Sequence, residues 1–322
     1  MSKENTKKNK QSKKKAAHKT APKKDTNNNN ISAAQTVESK VEAQVESRVV
    51  IEEAMPKSTK DSMPASIFSK LNSWLPVVYI AQALAIVFLS TKMTVTLVAQ
   101  YPAVDTLASE ANGHQVIGSA AHYLANINIA WIVGIYLIVF AATRFVMGGL
   151  LRKSANEAET TRGMISLRWA GFGMGGAVMI ATIALLSGIT QLSSVLLLMA
   201  SVLVGSSLMF AAEVVTTNNR GTKTRFANFM YVLAVCGLAA PWVIFATAIA
   251  GALIWNGHID GYMYSVYACT GLLFLAMVLA ANFRLKRQGR WADILYTERG
   301  FTILEFLMAT LLAWQIFVGV LR

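Results

Sequence analysis

The sequence predicts an all-α fold of seven transmembrane helices, and three observations carry that prediction. Seven long apolar stretches follow one another from about Leu71 to Arg322. The short connections between them alternate between basic ones and ones without Lys or Arg. The chain is also 54% hydrophobic although residues 1–65 are strongly polar, which leaves more apolar surface than a water-soluble core can hide. A helix needs roughly 20 apolar residues to cross about 30 Å of hydrocarbon. The strands of an outer-membrane barrel are shorter and alternate in polarity, so that architecture is excluded.

The chain divides into a basic tail, residues 1–65, and a membrane domain, residues 66–322. Residues 1–65 carry +6 of the net charge of +13, and there Lys7, Lys8, Lys10, Lys13, Lys14, Lys15, Lys19, Lys23 and Lys24 precede an asparagine run at Asn27–Asn30. So little apolar area does not offset chain entropy, and a disordered cytoplasmic segment is expected. The lysines suit a solvated topogenic tail or attraction to anionic headgroups, at about 1 kcal/mol per basic residue. No aromatic residues interleave them, so no nucleic-acid partner is expected. Val37, Val41, Val45 and Val49 would line one helical stripe, too short and β-branched to be stable alone. No signal peptide is expected, because the first apolar stretch begins long after a normal signal region.

Spans are predicted near 71–92, 124–150, 165–187, 190–212, 227–255, 262–284 and 300–321. Arg152, Lys153 and Arg162 mark the 2–3 connection, and Arg220, Lys223 and Arg225 the 4–5 connection. Arg284, Lys286, Arg287, Arg290 and Arg299 mark the 6–7 connection. The turns Ser187–Thr190 and Asn256–Gly261 hold no Lys or Arg. Short basic loops stay cytoplasmic, so the reading is a multi-pass protein of the cell membrane, amino terminus inside and carboxyl terminus outside. Cys236 and Cys269 fall inside spans and read as small packing residues. The histidines His18, His114, His122 and His258 show no metal-ligand spacing, and no metal site is expected.

Charge at depth is the usual clue to function, since an ion at a helix centre costs about 2.5–3.5 kcal/mol on insertion scales. The polar residues in or near spans are Gln82, Asn126, Asn128, Arg144, Arg168, Gln191, Glu213, Asn228, Glu305 and Gln315. Most lie within reach of an interface and are able to snorkel. Arg144 and Glu305 each lie about six residues from the basic ends of spans 2 and 7, roughly 9 Å deep at the helical rise of 1.5 Å per residue. An Arg144–Glu305 ion pair is therefore expected, with Arg168 of span 3 as the alternative partner. It reads as a structural brace or as a proton- or ion-handling group. Span 3 carries Gly171, Gly173, Gly175 and Gly176, which read as tight helix packing or as room for an apolar cavity. Pro241 bends span 5 by removing a helical hydrogen bond. Trp242 and Trp314 are placed too deep for interfacial anchors and are read as interior packing.

Several of these residues carry a resemblance. Gly289-Arg290-Trp291, Leu295, Glu298-Arg299 and Ala313-Trp314-Gln315-Ile316-Phe317 resemble the carboxyl-terminal region of heliorhodopsins. Arg168-Trp169, Val178-Met179, Gly188-Ile189 and Pro241-Trp242 fall at matching places upstream, and the similarity covers about residues 67–322. The resemblance implies a rhodopsin-type bundle with an inside amino terminus, short strands in the long 1–2 loop, and a homodimer. It also implies retinal joined to a span-7 lysine with a span-3 glutamate as counter-ion. In register, the lysine position holds Ala309 and the counter-ion position Gly171, while two histidine positions hold Tyr79 and Arg144. An imine needs an amine, and alanine has none. The expected cofactor is therefore none, with retinal only if bound non-covalently. Glu305 lies four residues before Ala309 on the same face, so the charged site is read as moved one turn, onto Glu305 and Arg144.

The function expected is that of a heliorhodopsin-like sensory, regulatory or scaffold protein, acting on an unknown cytoplasmic protein from the lipid bilayer. The alternative is a binder of retinal, carotenoid or lipid in a vestigial pocket of Gly171, Trp242 and Ala309. A small-solute or ion transporter comes third, for want of an internal repeat. No acid, base, nucleophile and metal gather at one depth, so the chain does not read as an enzyme.

Overall fold

In hydrocarbon a backbone finds no water to bond with, so spanning segments close their hydrogen bonds internally as helices. A computed structural model describes residues 65–153, 157–218, 225–255 and 257–322. The chain divides into Met1–Thr59 and Lys60–Arg322, and every described residue belongs to the second. The lysine-rich tail and the valine stripe lie outside the described residues.

Seven helices are long and apolar enough to cross a membrane. They are α1 (Ala65–Leu89), α2 (Ile129–Lys153), α3 (Glu157–Leu186), α4 (Leu192–Asn218), α5 (Arg225–Ile254), α6 (Gly261–Leu285) and α7 (Ile294–Ile316), the last prolonged by a π-helical turn, Phe317–Leu321. This is the helical bundle of a multi-pass membrane protein. Consecutive helices are neighbours, and α7 closes back on α1, α2 and α3. The central element is α3, with 78% of its apolar window inside the protein against 22% for α5.

Two boundaries differ from the hydropathy reading. Residues 124–128 belong to a strand, so Asn126 and Asn128 lie outside span 2. Strands β1 (Thr94–Asp105) and β2 (Val116–Asn128) form an antiparallel pair, from Thr94 opposite Asn128 to Asp105 opposite Val116. A two-turn helix at the tip, Thr106–Asn112, is capped by the Asp105 carboxylate, which accepts from the Ala108 N–H at 3.0 Å. The free edge of β1 is pinned where the Val98 N–H donates to the Thr190 carbonyl in the 3–4 turn. At the other end of the chain α7 begins at Ile294 rather than near 300, because Asp293 caps it by accepting from the Leu295 N–H at 2.9 Å.

Gly171 and Gly175 of α3 are closed off by their neighbours, whereas Gly173 lines a groove of about 170 Å³ between α3 and α4 with Leu203, Ser206 and Phe210. A Cβ on Gly175 would stand 2.5 Å from the Phe140 ring, and one on Gly171 would stand 2.9 Å from Thr143 Oγ1. Gly173 faces Ser206 and Gly176 faces Val202. Small residues let helix backbones approach in a medium that offers no hydrophobic drive between helices. A second such approach joins α4 to α5, where a Cβ on Gly205 would meet Leu238 at 2.7 Å. Trp314 is 38% exposed on the bundle surface and Cys236 is exposed, so neither is a core packing residue, whereas Trp242 is half-buried and packs on the core through Phe245 and Phe274.

Phe140 is fully buried and its ring has no room to retreat. Gly175→Ala should therefore destabilise the protein by about 1–3 kcal/mol, the usual cost of overpacking. Adding Phe140→Leu should recover most of the loss, read as melting temperature in detergent.

Candidate functional site: two buried charge clusters

Helix α7 presents one buried stripe, Glu298, Phe301, Thr302, Glu305, Met308, Ala309 and Leu312, at the three-and-four spacing of a helical face. Two of its members are carboxylates, and each meets an arginine from another helix.

The first cluster joins α1, α2 and α7. Arg144 grips Glu305 with two parallel bonds, Nε to Oε1 at 2.8 Å and Nη2 to Oε2 at 2.6 Å. Its Nη1 donates to Thr302 Oγ1 at 2.7 Å and reaches Asn72 Oδ1 at 3.5 Å. Those partners are themselves held. Thr302 Oγ1 donates to the Glu298 carbonyl at 2.7 Å, and Asn72 Nδ2 donates to the Phe68 carbonyl at 3.0 Å. Arg144 is 2% exposed and Glu305 1%, so the pair is dry. A bidentate fork supplies the geometric fit that a desolvated ion pair needs.

The second cluster joins α3, α4, α6 and α7. Arg168, the alternative partner foreseen for Glu305, instead bridges Glu213 and Glu298. Glu213 also accepts from Trp169 Nε1 at 2.9 Å and from Arg284 Nε at 3.3 Å. The Arg168 guanidinium lies 4.3 Å above the centre of the Phe301 ring, a cation–π contact made where no water competes. Two arginines face two glutamates here and one faces one in the first cluster, so each is neutral as a unit. Thr302 ties the clusters together by bonding Arg144 and the Glu298 carbonyl at once.

The three residues proposed for a vestigial pocket are not brought into one cavity. Ala309 is fully buried, and its carbonyl accepts from the Tyr136 hydroxyl at 3.3 Å. Gly171 is buried against Thr143. Trp242 lines a separate apolar groove of about 320 Å³ between α5 and α6, with Leu238, Gly271, Phe274 and Leu275. Neither Gly171 nor Ala309 belongs to that groove. Tyr79 is fully buried against Phe140 and Phe306.

The family model of heliorhodopsins matches residues 68–321. The chain belongs to the heliorhodopsin family. The matched stretch takes in all seven spans, the hairpin and every member of both charge clusters. None of the curated proteins matches the chain. For this heliorhodopsin-family protein, Arg284 and Glu298 are the site residues that hydropathy overlooks, because Arg284 sits where span 6 is read to end and Glu298 just before span 7 is read to begin. A periodic signal was nevertheless there. Arg284 follows Phe274, Met277 and Ala281 on the buried face of α6, and Glu298 stands seven residues before Glu305.

Removing one partner of a buried pair strands the other charge, at a cost of about 3–5 kcal/mol. Arg144→Met and Glu305→Leu should each lower stability by that amount, and the double variant should regain most of it. Thermal denaturation of the four proteins in one detergent gives the coupling directly.

Proposed function

We propose that this heliorhodopsin-family protein works without a covalently bound retinal, as a sensory, regulatory or scaffold protein of the cell membrane. The carrying observation is the environment of Ala309. A Schiff base needs an amine on α7, and this side chain is a methyl group enclosed in protein. Among the lysines whose side chains are described, Lys70, Lys92 and Lys286 are exposed and none replaces it. Gly171 supplies no carboxylate either, and Thr143 fills the space beside it. The residues present therefore do not fit a tethered retinal.

The charge lost from that level is matched by charge gained one turn away. Glu305 is a turn from Ala309 on the same face, and Arg144 neutralises it. A lone carboxylate in the bundle would be costly, so the loss of an amine and its counter-ion together, with a new closed pair nearby, is a self-consistent change. Charges locked in closed pairs also argue against ion transport, which needs sites weak enough to release their cargo. In this reading the amino terminus and the basic loops are cytoplasmic, by the distribution of Lys and Arg, and action on a cytoplasmic partner passes through those loops. The protein is a homodimer by kinship, and the reading contains no enzymatic step.

A second reading has one observation in its favour. The groove lined by Trp242 is almost wholly apolar, and Trp242 Nε1 is buried without a hydrogen-bond partner. A retinal, carotenoid or lipid held there non-covalently would bring an apolar body to the groove.

Purified protein mixed with all-trans-retinal should show no red-shifted visible band and no adduct after borohydride reduction. A band trapped covalently would overturn the first reading. A band that forms without trapping would favour the second.

A further inference from the structure

We propose that the turn joining α6 to α7 is a docking surface for the headgroups of anionic phospholipids. Only residues 286–293 separate the two spans, which end at Leu285 and restart at Ile294. A connection this short stays at the level of the headgroups, since the polar zone adds roughly 5–8 Å to each side of the hydrocarbon.

The turn is built from its underside. Arg284 is 7% exposed, and its Nη1 donates to the carbonyls of Ala292 at 2.7 Å and Trp291 at 3.3 Å. Thr297 Oγ1 donates to the same Trp291 carbonyl at 3.0 Å. The Trp291 ring packs on Phe283, Tyr296 and Phe301. One face of the turn is thereby fixed to the bundle, and the same Arg284 is fixed in turn by Glu213.

The other face is cationic. Lys286, Arg287, Gln288 and Arg290 are exposed. The turn's one acid, Asp293, is engaged as the cap of α7. Arg287 has φ +48, and among the described residues it is the only non-glycine with positive φ. Glycine or asparagine would take that left-handed conformation with less strain, so an arginine there points to a use for its side chain. Cations held at headgroup height beside Trp291 and Tyr296, aromatic residues of the kind that favour this boundary, match a phosphate-bearing lipid surface. This role concerns the basic end of the bundle and is independent of whether retinal binds.

The test is lipid retention by the full chain, measured by native mass spectrometry in detergent with added phosphatidylglycerol or phosphatidylcholine. The parent should retain phosphatidylglycerol preferentially. Lys286→Gln/Arg287→Gln/Arg290→Gln should weaken that retention by about fivefold per cation removed, with phosphatidylcholine unaffected. The lysine-rich tail is common to both proteins and cancels in the comparison. Arg284→Met, which leaves those three cations in place but unties the turn, should also weaken retention, and Arg284→Lys should restore part of it. If the triple variant holds phosphatidylglycerol as the parent does, the proposal fails and the cations are left for an acidic protein partner. Equal retention of the two lipids by the parent would also overturn it.

Discussion

A charged side chain surrounded by hydrocarbon has no water to turn to, and this bundle answers by pairing. Each of the six buried charges described here touches at least one of opposite sign, and the partners come from different helices. Such pairs add little net stability over apolar side chains of the same size, because desolvation offsets much of the attraction. Their effect is on specificity. A helix placed in the wrong position, or rotated by a residue, would leave an ion without a partner, and that error costs more than any single apolar contact returns.

The same constraint accounts for the region around Ala309. Ala309 on α7 and Gly171 on α3 present a methyl group and a hydrogen atom, and neither needs a counter-charge. Beside Gly175 and Gly171, Phe140 and Thr143 occupy the space that side chains on α3 would otherwise take. Ionic bonding between α2 and α7 is carried by Arg144 and Glu305.

Hydropathy made the seven spans legible, because a bilayer imposes length and apolarity on any helix that crosses it. The common depth of Arg144 and Glu305 was legible for a related reason: a fixed rise per residue turns distance from the loop into depth. What escaped was charge at helix ends. Arg284 and Glu298 were assigned to a loop, since a hydropathy window closes at the first ionic residue, whereas the helices continue into the polar zone with their buried faces intact. The register of β1 and β2 escaped too. Their residues are mostly exposed, so no alternating pattern marks them, and the strands are held by their own ladder and by the 3–4 turn. Trp314 was misplaced because depth along a helix says nothing about which side of it faces lipid.

Of the seven spans, α5 contributes no charge to either cluster, and it meets α4 through the glycine contact at Gly205 and Leu238. Five others carry an ion that is unwelcome in lipid until its counterpart arrives, and α1 brings Asn72 to the same network. During biosynthesis those helices have reason to linger near the translocon as a group, sharing its wetter surroundings. Helix α5 has no such reason: it is able to partition into the bilayer alone and settle afterwards by shape, which makes it the piece of this architecture whose exchange between relatives disturbs the others least.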